Sequence, residues 1–369
     1  MKRLISLFPL MLLLVFSACN KYPKGTPREG ITKVCDYLYE TTMDTYEPTA
    51  AFDLITDSNF DYSAACSTVR NGRYFGRNFD WYYDKSVEFV LHVPAAEGRF
   101  ASIGIVGGMP MMKSKLVQSG KDSEYYAMLP YMTVDGINEN GVAISMNVVP
   151  DDFPNTNIKG NGGPKIATLM VPRYVLDNAR SARHAVELIQ NANIVYSAAG
   201  KMEFHYMIAD ENETYIVEFF GDSIACTNEQ NIMTNYFVTI DTLTSHAIGM
   251  ERYDILKAGY AKSNTLDGMR ELMQSVKYSQ MYDRSVEPFW YSEYNGDWRE
   301  YGYPDLTIRS PHSEYEKVIK DGIRRRKLNA RKLIYDIWHT QHETIYDIEN
   351  RTLEIYVQED FEHKYSFAL

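Results

Sequence analysis

Cysteine is scarce in this 369-residue chain. It carries 4, too few to build a disulfide scaffold of this size. Positive charge is also short: 38 lysines and arginines stand against 49 aspartates and glutamates, a net charge of −11, which argues against a nucleic-acid backbone as partner. The basic cluster Arg324-Arg325-Arg326-Lys327 sits among helix formers and reads as a solvated helix face. There is no internal repeat and no low-complexity tract, and beyond the first twenty residues no apolar stretch is long enough to span a bilayer. The His-Glu-x-x-His pattern is missing. His339-Thr340-Gln341-His342-Glu343 falls in a strand-like region, where its spacing does not bring both histidines to one face. No metal site and no cofactor is expected.

The first residues carry a targeting signal. Lys2 and Arg3 form a positive start, Ile5 to Phe16 an apolar run, and Ser17 and Ala18 a small-residue step before Cys19. Phe16-Ser17-Ala18-Cys19 resembles a bacterial lipobox, in which the cysteine is lipidated and becomes the first residue. The reading is an exported membrane lipoprotein, periplasmic or on the cell surface and open to release on maturation, with residues 1–18 as signal. Pro23, Gly25, Pro27 and Gly30 make a tether. Residues from Ile31 to about Asp57 carry helical spacing (Ile31, Val34, Leu38, then Phe52 and Leu54) and have the size of a propeptide. Residues 19–65 are therefore assigned to tether and propeptide, and 66–369 to the functional domain.

From Cys66 the pattern changes to strands and hairpin turns. Asn71-Gly72 separates two strand-like runs. Further strands are expected at Val87–Val93, Ser102–Val106, Tyr131–Ile137, Val142–Val149, His205–Ile208, Tyr215–Phe220, Phe237–Ile240, Thr344–Ile348 and Thr352–Val357. Helices are expected from Ala167 to Asn178, after a Ser181 cap, from Glu251 to Tyr260 and from Leu266 to Val276. The aromatic stretch Phe289–Tyr303 reads as a packed loop that could wall a substrate pocket. Hairpins without βαβ crossovers, interleaved with blocks of helix, indicate an α+β protein of antiparallel sheets covered by helices.

The first hairpin holds the candidate chemistry. With Asn71 and Gly72 as the turn, Val69 faces Tyr74, Thr68 faces Phe75, Ser67 faces Gly76 and Cys66 faces Arg77. Directly opposed side chains share a face about 5 Å apart at Cβ. A guanidinium beside the Cys66 thiol should lower its pKa. Asp80 lies an odd number of residues from Arg77, so it needs a bend or bulge to face the same site. A lone cysteine at a strand start is usually a small buried hydrophobe; the neighbouring residues set this one apart.

Ala64-Ala65-Cys66-Ser67-Thr68 followed by Tyr74-Phe75-Gly76-Arg77-Asn78-Phe79-Asp80-Trp81 resembles the opening of the choloylglycine hydrolase family. That family groups bile salt hydrolases, penicillin V acylases and related linear-amide hydrolases within the N-terminal-nucleophile superfamily. Asp135-Gly136-Ile137-Asn138-Glu139-Asn140-Gly141 is similar to its second hairpin, leading to Asn147. Thr234-Asn235 matches its oxyanion motif, Arg252 its late arginine, and Tyr346-Asp347-Ile348-Glu349-Asn350-Arg351-Thr352 its C-terminal hairpin. The resemblance implies a four-layer αββα sandwich and cleavage between Ala65 and Cys66, by self-cleavage of a zymogen or by a separate protease. It implies Cys66 as nucleophile, with its own α-amino group as base. Asn235 and the backbone near Asn147 would bind the oxyanion, Arg77 and Asp80 would orient amine and sulfur, and Arg252 would add positive charge.

The expected function is hydrolysis of linear, non-peptide amide bonds in small N-acyl substrates such as conjugated bile salts, through a thioester. Penicillin V, N-acyl homoserine lactones, fatty acid amides and acyl transfer to an amine remain open, as does a homo-oligomer. A papain-like site could draw on His205 or His246, but the glycine-rich signature around the cysteine is lacking. The non-enzymatic rival is a ligand-binding lipoprotein on an inactive hydrolase scaffold; against it stands the joint presence of Cys66, Arg77, Asp80 and Asn235. Cys35 and Cys226 could pair, which would keep a cleaved propeptide attached.

Overall fold

The structure, a computed structural model, describes residues 30–57, 64–82, 87–107, 123–149, 154–197, 203–240, 249–277, 279–283, 289–294, 297–301 and 335–369. The signal segment, Cys19, His246 and the cluster Arg324–Lys327 lie outside them. In chain order the elements begin with β1 (Thr32–Lys33), β2 (Leu38–Thr42), helix α1 (Phe52–Asp57), β3 (Ala64–Asn71), β4 (Tyr74–Tyr82), β5 (Glu88–Val93) and β6 (Ser102–Val106). Next come β7 (Thr133–Asn138), β8 (Ala143–Val149), β9 (Asn157–Ile158), β10 (Lys165–Ala167), α2 (Val171–Asn178), α3 (Ala182–Asn191), β11 (Asn193–Val195), β12 (Glu203–Ala209), β13 (Thr214–Phe220), β14 (Ser223–Thr227) and β15 (Ile232–Met233). The chain continues through α4 (Met250–Gly259), α5 (Leu266–Ser275), β16 (Ser279–Asp283), β17 (Phe289–Tyr294), β18 (Asp297–Tyr301), β19 (Tyr335–Asp347), β20 (Thr352–Val357) and β21 (Tyr365–Ala368).

Two nine-stranded sheets result. The first runs β1-β2-β5-β6-β7-β8-β12-β13-β14; the second holds β15-β3-β4-β19-β16-β17-β18, with β20 and β21 joined through β19. Three apolar interfaces make four layers. Ile103, Ile105, Ile137 and Met207 of the first sheet meet Phe75, Tyr346 and Ile355 of the second between the sheets. Val134, Ile144 and Tyr206 point the other way, toward Val175, Leu176, Ala185 and Ile189 of α2 and α3. Val69 and Ile345 pack outward against Leu256, Met269 and Met273 of α4 and α5. Alternating side chains on buried strands produce this. The protein is the expected α+β, αββα sandwich of the N-terminal-nucleophile type.

Local chemistry fixes the elements nearest the site. The Ser181 hydroxyl accepts from the His184 backbone N–H at 3.1 Å and caps α3. Gly76 lets α5 settle on β4, because a Cβ there would lie 2.8 Å from Met269 Sδ and from Met273 Cγ. Next to it, Asn78 Nδ2 donates to the Met273 carbonyl at 2.8 Å, closing the last turn of α5.

Several sequence expectations are corrected. The helical spacing over Ile31–Asp57 becomes strands β1 and β2, with helix only at Phe52–Asp57. Leu38 and Tyr39 are adjacent and both buried, so the alternation that marks a strand is absent. Phe237–Ile240 is not a strand: the Glu218 carboxylate takes the N–H groups of Val238 and Thr239, at 2.8 and 2.9 Å, that a ladder would need. Within Tyr131–Ile137 the strand begins only at Thr133, after a 3-10 helical stretch. The aromatic stretch is not a loop but the strand pair β17 and β18.

The Cys35–Cys226 disulfide is ruled out, since both thiols are free. Cys35 lies in the β1–β2 turn and Cys226 on β14, at opposite edges of the first sheet. The seven strand spacings from β2 to β14 put them about 34 Å apart, far beyond the ~7 Å that a bridge tolerates.

Glu343 of β19 is buried, and among the described residues neither carboxylate oxygen has a hydrogen-bond partner. Burial pushes its carboxyl well above the ordinary 4.5, with Arg270 opposing and Glu354 adding. The folded state therefore holds a proton that the unfolded chain gives up, and the stability penalty grows as pH rises above 4.5. Glu343→Gln should raise stability at pH 8 by about 1–3 kcal/mol, with the gain shrinking toward pH 4.5. Thermal melts of both proteins across pH check this; a gain independent of pH would contradict it.

Candidate active site

The hairpin register differs from the sequence expectation by one step on each strand. Cys66 pairs with Phe79, Thr68 with Arg77, Ala65 with Asp80 and Asn71 with Tyr74. The turn is Gly72-Arg73, with Gly72 at φ +59°, as a type II′ hairpin requires at its first central position. Tertiary contacts explain the shift. Asn71 Nδ2 donates to the Tyr260 carbonyl at 2.6 Å and to Ser263 Oγ at 3.1 Å, while Arg73 binds Asp347 through two bonds of 2.8 and 2.6 Å. Because the side-chain period is two, Cys66 and Arg77 still share the inner face, as diagonal neighbours instead of opposed ones.

On that inner face Arg77 Nη2 lies 3.6 Å from Cys66 Sγ and donates to the Met146 carbonyl at 3.0 Å. Thr68 Oγ1 sits 2.9 Å from Ser145 Oγ and donates to Asn147 Oδ1 at 3.2 Å. Asn147 Nδ2 in turn donates to the carbonyls of Met233 and Thr234, at 3.2 and 3.1 Å. His205 Nε2 meets the Thr234 carbonyl at 2.9 Å, and its Nδ1 meets Glu218 at 3.0 Å. Asn147, His205 and Glu218 thus fix the strand end that presents Asn235. Both ring nitrogens of His205 are engaged by Glu218 and the Thr234 carbonyl, so it is a framework residue and not the base of a papain-like pair.

Asp80 points to the outer face with Ser67, so no bend in β4 carries it inward. The bulge lies instead in β19, where Gln341 is inserted between Thr340, opposite Asp80, and His342, opposite Phe79. Thr340 Oγ1 donates to Asp80 Oδ1 at 2.7 Å. Arg252 of α4 completes the outer cluster. Its Nη1 donates to the Cys66 carbonyl at 2.5 Å, to Ser67 Oγ at 2.8 Å and to Asp80 Oδ2 at 3.4 Å, and its Nη2 to Asn235 Oδ1 at 2.5 Å. The backbone N–H of Cys66 donates to the same Asn235 Oδ1 at 2.8 Å, and Asn235 Nδ2 donates to the Val148 carbonyl at 2.8 Å. Both ends of residue 66 are held by groups of the cluster.

Electrostatics follow from burial. The thiol is raised above its ordinary pKa because burial disfavours the thiolate more than Arg77, the Asp80 backbone N–H and Arg252 favour it. This corrects the expectation of a lowered value: with Cys66 at 1% exposure, desolvation outweighs one guanidinium at 3.6 Å. Asp80 is pushed up to about 6 by burial, against Arg252, Thr340 and Arg77.

Three residues without an assigned role in the sequence reading belong to the site. Behind Arg77, Asp135 Oδ2 lies 3.1 Å from Nη1, His342 Nε2 3.1 Å from the same nitrogen, and Glu88 Oε2 3.1 Å from His342 Nδ1. Asp135 opens the Asp135-Gly136 motif and was legible as a motif position. Glu88 gave no signal beyond being a polar residue in an apolar strand, and His342 stood out only in the two-histidine pattern that was set aside as a metal site.

A family model described as acyl-coenzyme A:6-aminopenicillanic acid acyl-transferase matches residues 67–254. Among curated proteins, none matches. Solved structures similar to the chain include a mutant conjugated bile acid hydrolase from Clostridium perfringens, 13% identical, covering 83% of this chain and 92% of that one at TM-score 0.45. A penicillin V acylase from Agrobacterium tumefaciens is 14% identical over 82% of this chain and 86% of that one, at TM-score 0.46.

Proposed function

The chain belongs to the acyl-coenzyme A:6-aminopenicillanic acid acyl-transferase family, an N-terminal-nucleophile hydrolase family, and on that premise we propose that Cys66 becomes the N-terminal nucleophile of a linear-amide hydrolase. One observation carries the reading. The backbone N–H of Cys66 is held by Asn235 at 2.8 Å, its carbonyl by Arg252 at 2.5 Å, and its sulfur faces Arg77 at 3.6 Å. A cysteine buried only for packing needs no such grip on its own amine.

Maturation uses the same sulfur. Cys66 Sγ attacks the Ala65 carbonyl carbon, the Ala65–Cys66 C–N bond breaks, and the acyl group passes to sulfur. Water then hydrolyses the thioester, leaving Ala65 with a carboxylate and Cys66 with a free amine. In turnover that amine, ordinarily near pKa 7.7–8.0, takes the thiol proton. The thiolate adds to the substrate amide carbon, the C–N bond breaks, the ammonium protonates the departing amine, and water hydrolyses the new thioester. Asn235 Nδ2 carries two hydrogens, of which one is engaged by Val148; the other serves the oxyanion. Arg77 and Arg252 stabilise the thiolate, Arg252 also holds Asn235, the partner of the amine, and Asp80 keeps Arg252 in place.

N-acyl amides such as conjugated bile salts form the proposed substrate class. The acyl-transferase family favours one second reading, transfer of the acyl group to an amine acceptor, because the same thioester can be opened by an amine. Mature protein is tested on conjugated bile salts, penicillin V, N-acyl homoserine lactones and fatty acid amides, with and without added amine. Free carboxylate as the only product supports hydrolysis, a new amide supports transfer, and no turnover of any of them contradicts both.

Asp80 gives the reaction an acid limb. Its carboxyl titrates at about 6, so it is ionised above that pH and neutral below. Below pH 6 its pairing with Arg252 is lost, and turnover should fall as pH drops through that value. Asp80→Asn should remove the further fall near pH 6, leaving only the limb set by the amine, and lower the rate by about 10²-fold. A pH–rate profile unchanged by Asp80→Asn would contradict the assignment.

Cleavage would not release the segment before it. β2 pairs in parallel with β5 over five residue pairs, and Leu38, Tyr39, Met43, Ala51 and Ile55 are buried in the core. The proposed lipoprotein, anchored through Cys19, thereby stays on its membrane without a disulfide. Cleaved protein should elute as one species under native conditions and as two chains in denaturant; separation under native conditions would contradict this.

A further inference from the structure

Three buried side chains from three further strands meet behind Arg77, and none of the steps above uses them. Arg77 comes from β4, Glu88 from β5, Asp135 from β7 and His342 from β19, and all are buried. His342 Nδ1 lies 3.1 Å from Glu88 Oε2, and its Nε2 lies 3.1 Å from Arg77 Nη1 and 3.2 Å from Asp135 Oδ2. The other Asp135 oxygen accepts from Tyr346 Oη and, at 3.4 Å, from Thr344 Oγ1. We propose that His342, clamped by Glu88, is a positioning residue that holds the Arg77 guanidinium against the Cys66 sulfur. The proposal rests on Cys66 being the nucleophile and says what orients its guanidinium partner.

The backbone is shaped around this contact. An undistorted β19 would alternate from Thr340, on the outer face, through Gln341 and put His342 on that same outer face, where Ile345 packs against α5. The extra residue at Gln341 turns Thr340 to Asp80 on the outer face and leaves His342 on the inner one. The imidazole then stacks on Phe79, with centroids 5.0 Å apart and planes at 16°, and the Arg77 guanidinium lies 4.8 Å from the same ring. Gly107 leaves room for the arrangement: a Cβ there would come within 2.6 Å of Glu88 Oε2 and 3.2 Å of His342 Cε1.

Charge gives the contact its effect on the thiol. Glu88 and Asp135 supply two negative charges and Arg77 one positive. Burial disfavours an unbalanced set, and an imidazolium at His342 balances it. Burial alone would push the imidazole down, but Glu88 and Asp135 together raise it above the ordinary 6.5. With both ring nitrogens protonated, Nδ1–H donates to Glu88 and Nε2–H to Asp135 Oδ2, the same oxygen that takes Arg77 Nη1 at 3.1 Å, so His342 holds the guanidinium through that shared carboxylate oxygen and Arg77 Nη2 is left for the sulfur and the Met146 carbonyl. Losing that cation leaves an excess negative charge behind Arg77, which disfavours a thiolate 3.6 Å beyond it.

The test uses full-length chain, matured as expressed, with His342→Gln, Glu88→Gln and the more remote Gly107→Ala. The rate of Cys66 alkylation by iodoacetamide is followed by peptide mass across pH, beside a thermal melt. The Cys66 profile should move to higher pH by about one unit in His342→Gln and Gly107→Ala, so that alkylation at pH 7 slows about tenfold, and by less in Glu88→Gln, where a negative charge leaves together with the cation it sustains. A folded variant that accumulates uncut would support the proposal too, since cleavage uses the same thiolate. Unshifted profiles in folded variants overturn it. So does loss of fold in both His342→Gln and Glu88→Gln with an unshifted Gly107→Ala profile, which would make the cluster structural only. Wild type that is cut and active but inert at Cys66 overturns the nucleophile reading itself, a different failure.

Discussion

Cys66→Ala should accumulate as one uncut chain and lose amide turnover by on the order of 10⁶-fold, the scale seen when a covalent nucleophile is removed. The large effect comes from chemistry and not from folding. The substitution deletes one buried sulfur beside Phe79, a change of about 1 kcal/mol for a small side chain. The Cys66 N–H and carbonyl that bind Asn235 and Arg252 are backbone groups and survive it. Melting temperature should therefore stay close to wild type while both reactions stop. Turnover persisting in the alanine variant, measured on the best amide of the panel, would assign the chemistry elsewhere.

Arg252→Ala should act on both fold and reaction. Arg252 is fully buried and bonds the Cys66 carbonyl, Ser67 Oγ, Asn235 Oδ1 and Asp80 Oδ2. Its removal leaves the buried Asp80 carboxylate without its ion-pair partner, a loss of about 3–5 kcal/mol. Asp80 then titrates higher still, so the loss is larger at pH 8 than at pH 5. In whatever fraction folds, cleavage at Ala65 should slow by at least about 10²-fold, because the carbonyl of residue 66 and the side chain of Asn235 lose their common anchor. Arg252→Lys keeps the charge but not the fork, and should recover stability more than rate. Urea denaturation and the time course of cleavage check both; wild-type rates in a folded Arg252→Ala protein would remove Arg252 from the site.

Much of this site was legible in the chain. The run from Cys66 to Trp81 carries a strand, a glycine turn and a return strand, and its parity alone puts Cys66 and Arg77 on one face whichever of the two registers holds. The register itself was not legible, because Asn71 and Arg73 answer to Tyr260, Ser263 and Asp347, residues about 190 and 270 positions away. Asp80 was expected inside through a bulge in its own strand; the bulge is in β19, on a partner that local sequence does not reveal. Periodicity failed for residues 31–42 because two adjacent buried side chains mimic a helix face. The sandwich was legible from hairpins and helix blocks, while His342 drew notice only as half of a two-histidine spacing weighed and set aside as a metal site.

The central claim is most directly tested by sequencing the N-terminus of the larger chain in active, mature protein. The account predicts Cys66-Ser67-Thr68 for wild type and no such terminus for Cys66→Ala. Fully active enzyme that retains Ala65 ahead of Cys66 would contradict it.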